Sequence, residues 1–99
     1  YSDDIADACI FFLKKKMKFS LINIGSGFEK SINEYAKFIM NHLGVKLKII
    51  HEKKNLDGTF RKLLDSSLAN NCGWRPKTTF EIGLANTIND YLQKQLVNK

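Results

Sequence analysis

The sequence predicts an α/β fold with a few short strands packed against about four helices. Two helix starts carry the Ser/Thr-x-x-Glu signature, Ser31-Ile32-Asn33-Glu34 and Thr78-Thr79-Phe80-Glu81, each followed by apolar residues at helical spacing. Two stretches read instead as strands: 19–24 is mostly apolar, and Val45, Leu47 and Ile49 alternate with Lys46 and Lys48. A chain of 99 residues holds one domain at most and buries a modest core.

The first element is a helix. Ser2 is a candidate cap, Asp3 and Asp4 suit the positive end of the helix dipole, and Ile5, Ala8, Cys9, Phe12 and Leu13 share a stripe. The lysine run after Leu13 ends it. The strand 19–24 closes at Asn23-Ile24-Gly25-Ser26-Gly27. The helix opened by Ser31 presents Ile32, Tyr35, Ala36, Ile39, Met40 and Leu43, and Gly44 is placed to terminate it. After the strand 45–49 comes a turn at Asp57-Gly58, then a short extended piece over 62–64. Asp65 can cap a brief helix over 66–71 that stops at Gly73. Trp74-Arg75-Pro76 is a stiff connector with Trp74 as a packing anchor. The last helix carries Leu84, Ala85, Ile88, Tyr91 and Leu92 on its core side. So few strands for four helices suggests part of a larger sheet protein.

At 43% hydrophobic and 26% charged residues, the composition is that of a globular chain and excludes a disordered one. No apolar run approaches the roughly 20 residues of a membrane span. The acidic start Tyr1-Ser2-Asp3-Asp4 is unlike a signal peptide, and the missing initiator Met is expected of a chain that begins inside a longer gene product. Cys9 and Cys72 have no metal-like spacing to His42 or His51, so two buried thiols in a reducing cytoplasm are expected. The net charge of +6 favours anionic partners, and it is concentrated in Lys14, Lys15, Lys16 and Lys18 and in Lys46, Lys48, Lys53 and Lys54. The aromatics fall at core positions and do not alternate with cations, unlike a base-stacking surface.

The segment Leu56-Asp57-Gly58-Thr59-Phe60-Arg61-Lys62-Leu63-Leu64-Asp65 combines a turn, a hydroxyl and two adjacent cations with an apolar anchor. A guanidinium fork beside an ammonium suits a phosphate or diphosphate. Gly25-Ser26-Gly27 invites a dinucleotide reading, but the third glycine of G-x-G-x-x-G falls on Lys30, and a plain turn is the better reading. His42 lies near a helix C-terminus, where a cation is favoured. His51 ends a strand beside Glu52 without a nucleophile. No catalytic set and no metal cluster stands out. The chain shows binding chemistry and no reacting group.

Four segments in order resemble the C-terminal part of the GDP-L-fucose synthase family of extended short-chain dehydrogenases. Tyr1-Ser2-Asp3-Asp4-Ile5-Ala6-Asp7-Ala8 resembles a helix start, and Ile22-Asn23-Ile24-Gly25-Ser26-Gly27 followed by Ser31-Ile32-Asn33-Glu34 resembles a late strand and helix; both are shared across nucleotide-sugar epimerases and dehydratases. The run 56–65 is close to the family's "P-D-G-T-P-R-K-L-L-D". Cys72-Gly73-Trp74-Arg75-Pro76 with Phe80-Glu81-Ile82-Gly83-Leu84 resembles its "L-G-W-x-P…L-E-x-G-L" ending. Leu56 and Phe60 replace the two prolines of the family loop, which leaves it less pre-organised.

The resemblance implies a C-terminal fragment of an extended short-chain dehydrogenase, residues 1–99 forming one substrate-binding portion without the dinucleotide-binding domain. It implies an NADP-dependent enzyme that epimerises GDP-4-keto-6-deoxy-mannose and reduces it to GDP-L-fucose. On this chain it implies a contact from Lys62 to the substrate diphosphate, with Arg61 its neighbour and Asp57 a weaker ligand candidate. The catalytic residues and the NADP site are expected outside the fragment, which alone is not catalytic. A cytoplasmic setting, a GDP-sugar as partner, a family homodimer, and no nucleic acid or membrane partner complete the expectation. Two other readings stay open: another nucleotide-sugar epimerase or dehydratase, and a non-catalytic basic module for RNA or an acidic partner.

Overall fold

The structure is a computed structural model that describes residues 1–98. Its elements are four helices, α1 (Ser2–Lys14), α2 (Ile32–Leu43), α3 (Ser67–Asn71) and α4 (Phe80–Val97). Among the described residues there is no strand, so the α/β expectation is overturned. The segments 19–24, 45–49 and 62–64 all run as irregular chain. The physical reason lies in pairing. A strand exists only through the hydrogen-bond ladder of a neighbour, and among the described residues no backbone hydrogen bond joins 18–30 to 46–65. Two of these stretches do lie side by side, because a Cβ on Gly25 would stand 3.6 Å from Leu64 Cβ and 3.1 Å from Ser66 Oγ. The two segments run close at Gly25 and Leu64 without forming a ladder.

The helix ends follow the sequence with instructive shifts. In α2 the Ser31 side chain accepts from the Glu34 N–H at 3.2 Å, and Glu34 accepts from the Ser31 N–H at 2.7 Å, completing the expected box. Gly44, with φ of 67°, closes that helix. At α1 the cap is not Ser2: the Tyr1 carbonyl already accepts from Asp4 and Ile5, which places Ser2 inside the first turn. At α4 the cap is Thr79, whose hydroxyl accepts from the Ile82 N–H at 3.3 Å. Thr78 is withdrawn from capping because its N–H and hydroxyl both go to Asp4. Asp65 serves α3 from one residue further out, accepting from the Ser67 N–H at 2.9 Å.

The core is small and joins distant parts of the chain. Ala8, Ala69 and Trp74 are its buried apolar members, with Phe11, Phe12, Ile22 and Ile24 packed around them. The buried face of α1 therefore runs through Asp4, Ala8 and Phe11. The expected stripe is only partly used: Ile5, Cys9 and Leu13 are exposed. Tyr91 and Leu92 of α4 are likewise exposed. A second contact gathers on Phe80, with Tyr35 at 5.1 Å, Phe38 at 5.2 Å and Phe28 at 6.0 Å between ring centres. Around these two contacts the chain is open. Its accessible surface is 8732 Å², against about 5,800 Å² for a compact monomer of this size. Its radius of gyration is 17.1 Å, where about 13 Å is usual for such a length.

Neither cysteine matches the expectation of a buried thiol: Cys9 is exposed, Cys72 is half-buried, and both are free. Among the described residues no helix is long and apolar enough to cross a membrane.

Candidate functional site

Two places compete as the functional region, and they are distinct. The larger is a cleft of about 670 Å³ where α1, α4 and the connector 74–79 meet, with Tyr1, Ile24, Phe28, Trp74 and Phe80 among its walls. Several of its polar groups are tied by hydrogen bonds within the fold. Asp4, buried on α1, accepts from the Thr78 N–H at 3.0 Å and from the Thr78 hydroxyl at 3.2 Å. Asp7, one turn further, accepts from Trp74 Nε1 and from Lys77 Nζ, both at 3.0 Å. These four bonds fasten the connector to α1. Chemically the cleft is an apolar seam with a tied polar edge. Among the described residues no group of three or more His, Cys, Asp or Glu is arranged to hold a metal ion.

The second place is the segment 56–65, which lies outside the cleft walls. Leu56 and Phe60, the residues standing where the family loop has prolines, are both 99% exposed. Asp57 and Lys62 are exposed as well. Among the described residues Lys62 makes no ion pair, whereas Arg61 donates from a terminal guanidinium nitrogen to the Glu29 carboxylate. That hydrogen bond raises the Arg61 guanidinium above its ordinary pKa. The two adjacent cations thus differ in employment: Arg61 is held by a carboxylate, and Lys62 is free to meet an anion. Glu29 carried no marker in the sequence; a partner 32 residues away leaves no local pattern. Asp4 and Asp7 did leave one, since they share a helix face with Ala8 and Phe11, yet they read as charges favoured by the helix dipole.

The turn before α2 links the two places. Gly25 lies against Leu64 and Ser66, and Gly27 has φ of 72°, where a side chain would be strained. The Phe28 N–H donates to Ser26 Oγ at 3.2 Å, closing the turn. Gly27 is therefore explained by backbone geometry and Gly25 by the close approach of Leu64 and Ser66. The residues present do not fit a dinucleotide: Lys30 holds the place of the third glycine, and its ammonium sits 5.0 Å from the Phe28 ring and 5.6 Å from the Phe80 ring. Of the histidines, His51 Nε2 lies 3.2 Å from Asn33 Oδ1, and His42 is in the last turn of α2.

Three carboxylates sit below their usual pKa range, each for a local reason. Asp7 is lowered chiefly by the hydrogen bond from Lys77, then by that from Trp74. Asp65 is lowered by bonds from the Ser67 hydroxyl and N–H, and Glu34 by its bonds with Ser31. A carboxyl whose folded pKa is depressed binds more protons when unfolded. Its stabilisation is present above the unfolded pKa, about 4, and is lost as pH falls through the folded one. The urea midpoint is expected to hold from pH 7 to 5 and to fall below about pH 4. Asp7→Asn should lower the neutral-pH midpoint and flatten the acid slope.

No protein-family model matches the chain. Individual relatives do. The chain is 39% identical over 97 residues to "Putative GDP-L-fucose synthase 2" of Arabidopsis thaliana, which is 98% of this chain and 30% of that protein. It is 44% identical over 92 residues to the "GDP-L-fucose synthase" of Sinorhizobium fredii, covering 93% of this chain and 29% of the relative. With "GDP-L-colitose synthase" of Yersinia pseudotuberculosis it shares 32% over 96 residues, 96% of this chain and 31% of the relative. The chain thus spans about 30% of the length of the relatives it matches. Along nearly its whole length, this chain is a homologue of the C-terminal portion of the GDP-L-fucose synthases.

Proposed function

We propose that the chain is the substrate-binding portion of a GDP-L-fucose synthase-type enzyme and that its segment 56–65 grips the diphosphate of a GDP-sugar. Lys62 supplies the direct contact, while Arg61 and Asp57 flank it and shape the loop. The observation that carries this reading is the free, exposed ammonium of Lys62 inside a run matching the family's loop, beside an arginine already paired. In the complete enzyme, NADP and the reacting groups that epimerise and reduce the sugar belong to sequence beyond this stretch. One domain over residues 1–99 and assembly as a homodimer belong to the same proposal.

The test is a titration of the chain with GDP, UDP and dTDP, followed by amide chemical shifts. GDP is expected to shift residues 55–65 and to bind more tightly than the other two. A charge-assisted bond to phosphate contributes about 1.5–3 kcal/mol, so Lys62→Ala should weaken GDP by about ten-fold or more. Equal affinity for UDP or dTDP would move the assignment to another nucleotide-sugar epimerase or dehydratase. Shifts scattered away from 55–65 would remove the site.

A further inference from the structure

We infer that Glu29 is a positioning residue for the diphosphate loop: by holding Arg61 it pins the loop and leaves Lys62 as the cation that meets the ligand. This rests on the reading of 56–65 given above. The segment needs such a pin. It has no helix, no strand and no proline, and two of its four large apolar side chains, Leu56 and Phe60, reach solvent without packing. A lysine on an unanchored loop forfeits binding energy to ordering.

Glu29 is suited to be the pin because its own backbone is fixed on both sides. Before it, Gly27 and the Ser26–Phe28 hydrogen bond form the turn. After it, Ser31 is locked in the capping box of α2. Its neighbours in the chain face elsewhere: Phe28 packs on Phe80, and Lys30 lies over both rings. Glu29 alone of these three reaches the loop. The loop's far end runs beside the same turn, where a Cβ placed on Gly25 would stand 3.6 Å from Leu64 Cβ. The loop is therefore fastened at Arg61 and passes close to the turn at Leu64, on either side of Lys62.

The pair is largely solvent-exposed, with side-chain exposures of 62% and 40%, so its effect is moderate. An exposed ion pair corresponds to about a two- to five-fold change in an equilibrium. A double-mutant cycle on the full 99-residue chain tests the role, with GDP as the probe. Glu29→Gln and Arg61→Met should each weaken GDP binding about two- to five-fold, and the double variant should be no weaker than either single one. Without ligand, both single variants should lower the heteronuclear NOE of residues 57–63 while leaving the helical circular dichroism unchanged. Tighter GDP binding by Glu29→Gln would overturn the inference, since Arg61 would then be a ligand that Glu29 competes for. Further weakening by Arg61→Met on the Glu29→Gln background would overturn it too. If the parent chain shows no GDP shifts at 55–65, the proposed diphosphate site itself falls, and this role falls with it. GDP shifts that persist with equal affinity in both single variants would remove the pin alone.

Discussion

Trp74→Ala is expected to lower the unfolding free energy by about 3–5 kcal/mol, read as a fall in the urea midpoint at neutral pH. Trp74 is 3% exposed and, among the described residues, is the largest of three buried apolar ones, the others being Ala8 and Ala69. Its removal opens a cavity that two alanines cannot close. It also removes the indole N–H that donates to Asp7. Trp74→Phe separates the two contributions, because it retains most of the packing and lacks the donor. Its loss should be clearly smaller. Equal losses for the two variants would show that the hydrogen bond, and not the ring, holds this part of the fold.

Asp4→Ala is expected to cost about 1.5–3 kcal/mol. The buried carboxylate accepts both the backbone N–H and the hydroxyl of Thr78, and without it both donors are left partly buried and unpaired. Thr78→Val keeps the N–H bond and drops the hydroxyl, so it should lose less. The two losses should not add in the double variant, because both remove the same contact. Urea denaturation of the four chains supplies the comparison. A neutral Asp4→Ala would mean that the 74–78 connector is held by Asp7 alone.

Helix positions were legible because their signals are local. The Ser31 box, the Gly44 stop and the apolar run after Phe80 each lie within one or two turns of what they specify. The strand expectation failed for the opposite reason. Alternation over 45–49 describes a chain suited to a sheet, while a sheet also requires a partner's backbone, and none pairs with it among the described residues. The face of α1 was misjudged in the same way: apolar periodicity favoured Ile5, Cys9 and Leu13, yet the helix buries Asp4 because Thr78, 74 residues on, satisfies it. At the candidate site the residue types of Arg61 and Lys62 announced an anion, but their division of labour depends on Glu29. Only three-dimensional proximity could disclose that.

The bonds that tie α1 to the connector bear on how the chain comes to be folded at all. They join positions 67 to 74 residues apart, so the small core closes only when nearly the whole chain is present. Closing so long a loop is entropically unfavourable before any contact offsets it. The box and stop of α2 need nothing beyond their own sequence, so that helix can nucleate early, although twelve residues are only marginally helical until they are packed. Within this stretch, Phe11 and Phe12 therefore gain the cover of Trp74 only after synthesis has passed residue 74, well after α2 has left the ribosome.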